Sequence, residues 1–148
     1  LAIGCDEAAC DLKEVIKVHL LAQGHEVHDF GTFGGEPVLY PDVGIKLAEA
    51  VAAGMFERGI LMCGTGIGMA ITANKVPGIR AALCHDAETA KGARRWNRAN
   101  VLCLSLRATS EIVAKEILDA WFATPLGTDA VDVECVEKVG EIERKYQK

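Results

Sequence analysis

The feature that most constrains how this chain can fold is an alternation. Short apolar runs of strand length take turns with longer stretches whose apolar residues recur three and four positions apart. Residues 1–5, 26–30, 59–62, 80–83 and 100–104 read as five buried strands. Residues 8–22, 42–53, 67–75, 87–95 and 110–123 read as the helices between and after them. In the last of these, Ile112, Val113, Ile117, Ala120 and Trp121 are expected on the buried face, with Glu111, Lys115 and Asp119 toward water. Strand and helix in strict turn call for parallel strands joined by right-handed crossovers. The fold expected is α/β, a doubly wound five-stranded parallel sheet with helices on both faces. Beyond Trp121, Pro125 and Gly127 mark a break, and a charged helix follows from about residue 131 to 147. That extra C-terminal helix has no strand to return to, so a second subunit is its expected partner.

At 148 residues, 50% of them apolar, the chain suits one domain, with no repeat or linker to divide it. Its six cysteines form no CxxC pair and no regular framework, and most sit inside apolar runs, which points to reduced thiols and a cytoplasmic protein. No run approaches the ~18 apolar residues of a membrane span, and no leader pattern opens the sequence, so no membrane partner is expected. A net charge of −5 without a long basic block argues against nucleic acid and leaves small molecules as the expected ligands.

In open sheets of this kind, ligands bind beyond the carboxyl ends of the strands. Those ends carry Asp6, Thr32, Cys63 with its glycines, His85, and Ser105 with Arg107. The informative stretch is Cys63-Gly64-Thr65-Gly66-Ile67-Gly68-Met69, between a strand and a helix. Free N–H groups and the helix dipole make such a turn an anion site. Met69 stands where a dinucleotide loop needs its third glycine, and where a cysteine phosphatase needs its phosphate-clamping arginine. The Lys-Ser/Thr pair of a nucleotide P-loop is missing as well. What remains is a thiol at a helix N-terminus, where the thiolate is favoured and can take a proton from carbon. The amides of residues 64–68 would then receive the charge of an enediolate. The plainer reading keeps Cys63 as a buried core thiol beside a tight turn. Four histidines, at 19, 25, 28 and 85, show no metal-ligand spacing, and neither metal nor cofactor is expected.

Taken together, Ala2-Ile3-Gly4-Cys5-Asp6, Asp29-Phe30-Gly31-Thr32, Tyr40-Pro41, the Cys63–Gly68 loop, Ala73-Asn74-Lys75, Gly78-Ile79-Arg80, Asn97 and Asn100-Val101 resemble the ribose-5-phosphate isomerase type B family. That family also includes the galactose-6-phosphate isomerase subunits. The resemblance runs from Leu1 to about Trp121 and implies a Rossmann-like fold. It further implies metal-free aldose–ketose isomerisation of a phosphorylated sugar, and a homodimer whose sites are shared between subunits. By the same resemblance Cys63 would be the base, with Thr65 and Asp6 handling sugar hydroxyls. Gly64, Gly66, Gly68 and Asn74 would line the enediolate site, Tyr40 and Asn97 would contact substrate, and Arg107 would help hold phosphate. Each also has a structural reading: Asp6, Asn74 and Asn97 as caps, Tyr40 as a helix start, Arg107 as a surface arginine.

The chain departs from the family in three places. Glu7, a candidate substrate neighbour, stands where most relatives carry a histidine near the phosphate. Trp96 replaces the histidine that assists ring opening. Residues 128–138 lack the two arginines that help bind phosphate in ribose isomerases. Ribose 5-phosphate is the substrate the resemblance favours. A tetrose or tetrulose 4-phosphate, which needs no ring opener, stays open, as does a non-catalytic sugar-phosphate-binding subunit.

Overall fold

The computed structural model describes residues 1–147. Five strands form one parallel sheet: β1 (Ala2–Cys5), β2 (His28–Asp29), β3 (Gly59–Cys63), β4 (Ala81–Leu83) and β5 (Val101–Ser105), in the order β2-β1-β3-β5-β4. The register sets Gly59 beside Val101 and Cys63 beside Ser105, so the carboxyl ends of the two central strands lie level. Five helices connect or follow the strands: α1 (Cys10–Ala22), α2 (Tyr40–Ala52), α3 (Ile67–Asn74), α4 (Ala87–Arg95) and α5 (Glu111–Ala123). The helix α6 (Ala130–Tyr146) closes the chain.

Because successive side chains of a strand point to opposite faces, each central strand feeds two cores. Ile3, Cys5, Ile60, Met62, Leu102 and Leu104 meet α1, α4 and α5 on one face. Ala2, Leu61, Cys63, Val101 and Cys103 meet α2 and α3 on the other. The doubly wound architecture expected from the alternation is therefore present, including the C-terminal helix.

Details differ for local reasons. The first expected helix opens with a separate 3-10 turn, Glu7–Ala9, capped by Asp6, before α1 begins. The second strand is regular over two residues only, although its backbone bonds to β1 run on through Thr32, because Gly31 takes a positive φ of 89° and breaks the extended conformation. Helix α2 starts two residues earlier than expected, with Tyr40 and Pro41 in its first turn, as proline allows. In α5, Ile112 is 71% exposed, while Ala114 and Leu118 join Ile117 and Trp121 in the core; the buried face runs through residues 114, 117, 118 and 121, and Ile112 lies off it. No residue of α6 is buried, and Val131, Val139, Ile142 and Tyr146 stay exposed.

Candidate active site

The carboxyl end of β3 is built around one tight turn. Gly66 caps α3 in the left-handed region, with φ 76°. A Cβ there would lie 2.5 Å from Leu83 Cδ1 and 3.0 Å from the Leu104 carbonyl, so both conformation and space demand glycine. The turn places the Gly66 amide 3.1 Å from Cys63 Sγ, which accepts it, and Cys63 is only 5% exposed. The thiol therefore sits at the mouth of α3, with its sulfur already accepting one amide of the turn.

The remaining amides of the turn divide into two groups. Gly64 N donates to Asp6 Oδ2 at 3.3 Å, and Ile67 N donates to Thr65 Oγ1 at 3.3 Å. The amides of Thr65 and Gly68 have no acceptor among the described residues. Two amides of the turn that carries the thiol are thus free to donate. Above Gly64 the space is open, with no atom within 4 Å of a Cβ position.

Other elements converge on this turn. Asp6 caps the 3-10 turn through Oδ1, which accepts Ala9 N at 3.1 Å, while its other oxygen holds Gly64, so capping and site contact coexist. The Tyr40 ring lies across Gly68, where a Cβ would come within 2.6 Å of it. Arg107 is brought alongside through its backbone, whose amide donates to Gly64 O at 3.0 Å. Its guanidinium has no partner among the described residues. Ser105 fastens the same corner, donating to Gly64 O at 3.2 Å and accepting Ala108 N. Glu7 turns elsewhere: its carboxylate accepts Val38 N at 2.6 Å.

Two expected site residues are not brought to Cys63 within one chain. Asn74 ends α3 and clasps the Ala81 backbone, donating to its carbonyl at 3.0 Å and accepting its amide at 2.8 Å. Asn97 lies with Trp96, Lys75 and Arg80 in a cavity of about 670 Å³ against α6. Both stand at the amino end of the edge strand β4, two strands away from Cys63 and at the other end of the strands. That is on the order of 15 Å by strand spacing and rise.

Three other thiols are buried and held protonated. Burial pushes Cys103 far up, helped by the neighbouring Cys63, and burial with Asp86 raises Cys84 to about 11. Cys5 is raised to about 12 by burial. His85 is exposed, and no cluster of metal-ligating side chains occurs among the described residues.

The reading of the sequence alone missed Lys13. It is fully buried, donating to Asp29 Oδ1 at 2.9 Å and to the Thr32 carbonyl at 2.7 Å, and it thereby anchors the strand end next to Asp6. Its signal was present in the period of α1, where Lys13 shares a face with Ile16 and Leu20.

The sequence and fold are similar to those of known sugar-phosphate isomerases. The D-erythrulose-4-phosphate isomerase of Pectobacterium atrosepticum is 47% identical over 99% of this chain and 98% of its own. The structure of Clostridium thermocellum ribose-5-phosphate isomerase B superposes with a TM-score of 0.96 at 46% identity, covering 99% of this chain and 98% of that one. Ribose-5-phosphate isomerase B from Mycoplasma genitalium, solved with bound ribulose 5-phosphate, has a TM-score of 0.92 at 32% identity, covering 97% of this chain and 95% of that one. A model of the ribose/galactose isomerase family matches residues 1–139, and the chain belongs to this family of sugar-phosphate aldose–ketose isomerases.

Proposed function

We propose that the chain interconverts a four-carbon 2-ketose 4-phosphate and its aldose through an enediolate, with Cys63 as the base. The observation that carries the choice of sugar is Trp96. An indole has no basic nitrogen and cannot shuttle a proton, yet it stands where ribose isomerases of the family use histidine to open the sugar ring. A tetrose with its O4 esterified has no hydroxyl that closes a five-membered ring, so it needs no ring opener. The 47% identity to a D-erythrulose-4-phosphate isomerase along the whole chain supports the same choice.

In this reading the Cys63 thiolate removes a proton from C1 of the ketose. The C–H electron pair becomes the C1=C2 bond, and the C2 oxygen gains negative charge beside the free amides of Thr65 and Gly68. The Thr65 hydroxyl relays the proton that neutralises this oxygen and removes the one on O1. The thiol then returns its proton to C2. Asp6 receives a sugar hydroxyl, and Arg107 faces the phosphate. Asn97, at the far edge of its own sheet, is supplied by a second copy docked over α6.

Ribose 5-phosphate is the second reading, favoured by the 46% identity to a ribose-5-phosphate isomerase B over 99% of this chain. Initial rates of wild type and Cys63→Ala on erythrulose 4-phosphate and ribose 5-phosphate separate the two. Losing a base is expected to lower kcat on the true substrate ~10²–10⁴-fold, while Cys84→Ala stays near wild type. A strong preference for the pentose sinks the tetrulose assignment. Binding without turnover of either sugar favours a non-catalytic subunit.

A further inference from the structure

Two adjacent carboxylates leave the carboxyl end of β1 and take hold of different walls of the site. Asp6 accepts the Gly64 amide of the Cys63 turn. Glu7 accepts the Val38 amide, two residues before Tyr40. Between Thr32 and Tyr40 the backbone forms neither helix nor strand, and Gly34 and Gly35 take positive φ of 93° and 87°. Phe33 and Leu39 in this segment are 74% and 72% exposed. Among the described residues, the bond to Glu7 is the only hydrogen bond made by residues 33–38. The segment ends at Tyr40, whose ring covers Gly68.

We infer that Glu7 is a positioning residue, whose carboxylate grips Val38 and so keeps Tyr40 against the Cys63 turn while Asp6 holds the turn itself. One short 3-10 turn thereby sets the width of the crevice between its two walls. The inference rests on the reading that the Cys63 turn is the reacting centre, and it explains how an acidic residue is tolerated beside a phosphorylated substrate. The carboxylate is engaged with a backbone N–H, and its role there is that of an acceptor rather than of a charge.

Glu7→Gln keeps an acceptor without the charge, and Glu7→Ala removes both. In Glu7→Ala, kcat on the preferred sugar phosphate is expected to fall roughly 10-fold with KM within about 3-fold. The Val38 amide should exchange its hydrogen about 10-fold faster. Glu7→Gln should recover both to within about 3-fold of wild type. In a Tyr40→Ala background, Glu7→Ala should cost little more, because its effect runs through Tyr40. Glutamine as damaging as alanine, a KM that falls in Glu7→Ala, or unchanged exchange at Val38 would each overturn the assignment. If wild type turned over no sugar phosphate, the proposed function would fail by itself, and the exchange rates would still report whether Glu7 holds the segment.

Discussion

Gly66 and Gly68 are both glycines of the Cys63 turn, yet a methyl group would act differently at each. At Gly66 it meets a positive φ and the backbone of Leu104, neither of which can yield cheaply, besides the tip of the Leu83 side chain. Gly66→Ala is expected to cost at least ~2 kcal/mol of stability, read by urea denaturation. At Gly68 the obstacle is the ring of Tyr40, a half-exposed side chain that can swing away. Gly68→Ala should therefore leave stability within ~1 kcal/mol of wild type while lowering kcat/KM, because the displaced ring reopens that wall of the site. Equal loss of stability in both variants would show that Tyr40 is fixed more firmly than its exposure suggests. The Cys63–Gly68 segment as a functional turn was legible in the sequence. Its two vacant amides were not, because which N–H groups stay free depends on where Asp6, Cys63 and Thr65 direct their acceptors.

Among the elements, α1 does the least visible work. Its buried Lys13 reaches across to Asp29 and Thr32, and Lys17 adds a second bond to Asp29 at 3.1 Å. Burial alone would raise the Asp29 carboxyl, but hydrogen bonds from Lys13, the Gly31 amide and Lys17 outweigh it and hold the group below its usual value. A carboxylate depressed in the folded state contributes stability that is present above its unfolded value of about 3.9 and is lost as pH falls through the folded value. The stability gap between wild type and Asp29→Asn should therefore be widest near neutrality and narrow as the pH falls below about 4, measured by urea denaturation across that range. Lys13→Met, which leaves Asp29 with Lys17 and one amide, should cost about 3 kcal/mol at pH 7. Strands and helices as such were legible from period. The length of β2 was not, since it ends where Gly31 turns to positive φ while the backbone still bonds to β1.

For the whole molecule, Cys63 ends the central strand while Asn97 lies at one edge of the sheet, where α6 carries exposed apolar residues. If a second copy docks over α6, Asn97 of one subunit completes the Cys63 site of the other. Cys63→Ala and Asn97→Ala homodimers, each impaired alone, should then recover activity on mixing and subunit exchange, to about a quarter of wild type in sites. Each mixed dimer carries one intact site and one doubly impaired site. Absence of recovery, with exchange verified by mass, would place both residues in a site within one chain. Val139→Asp should weaken the dimer, read by sedimentation, and lower activity in step, with little change in the far-UV spectrum.

What the sequence by itself determined was the α/β alternation, the place of the Cys63 turn at a strand's carboxyl end, and the family. These follow from periodicity and from a contiguous motif, and both are local in the chain. Only the tertiary structure decided that Asp6 and Glu7 diverge onto different walls, that Lys13 is interior, and that Asn74 and Asn97 stand at the far edge. Each of these is a distance between residues remote in sequence, set by strand order and by the direction in which each helix runs back. The physical reason is that a residue's chemistry is written in its identity, whereas its partners are chosen by packing.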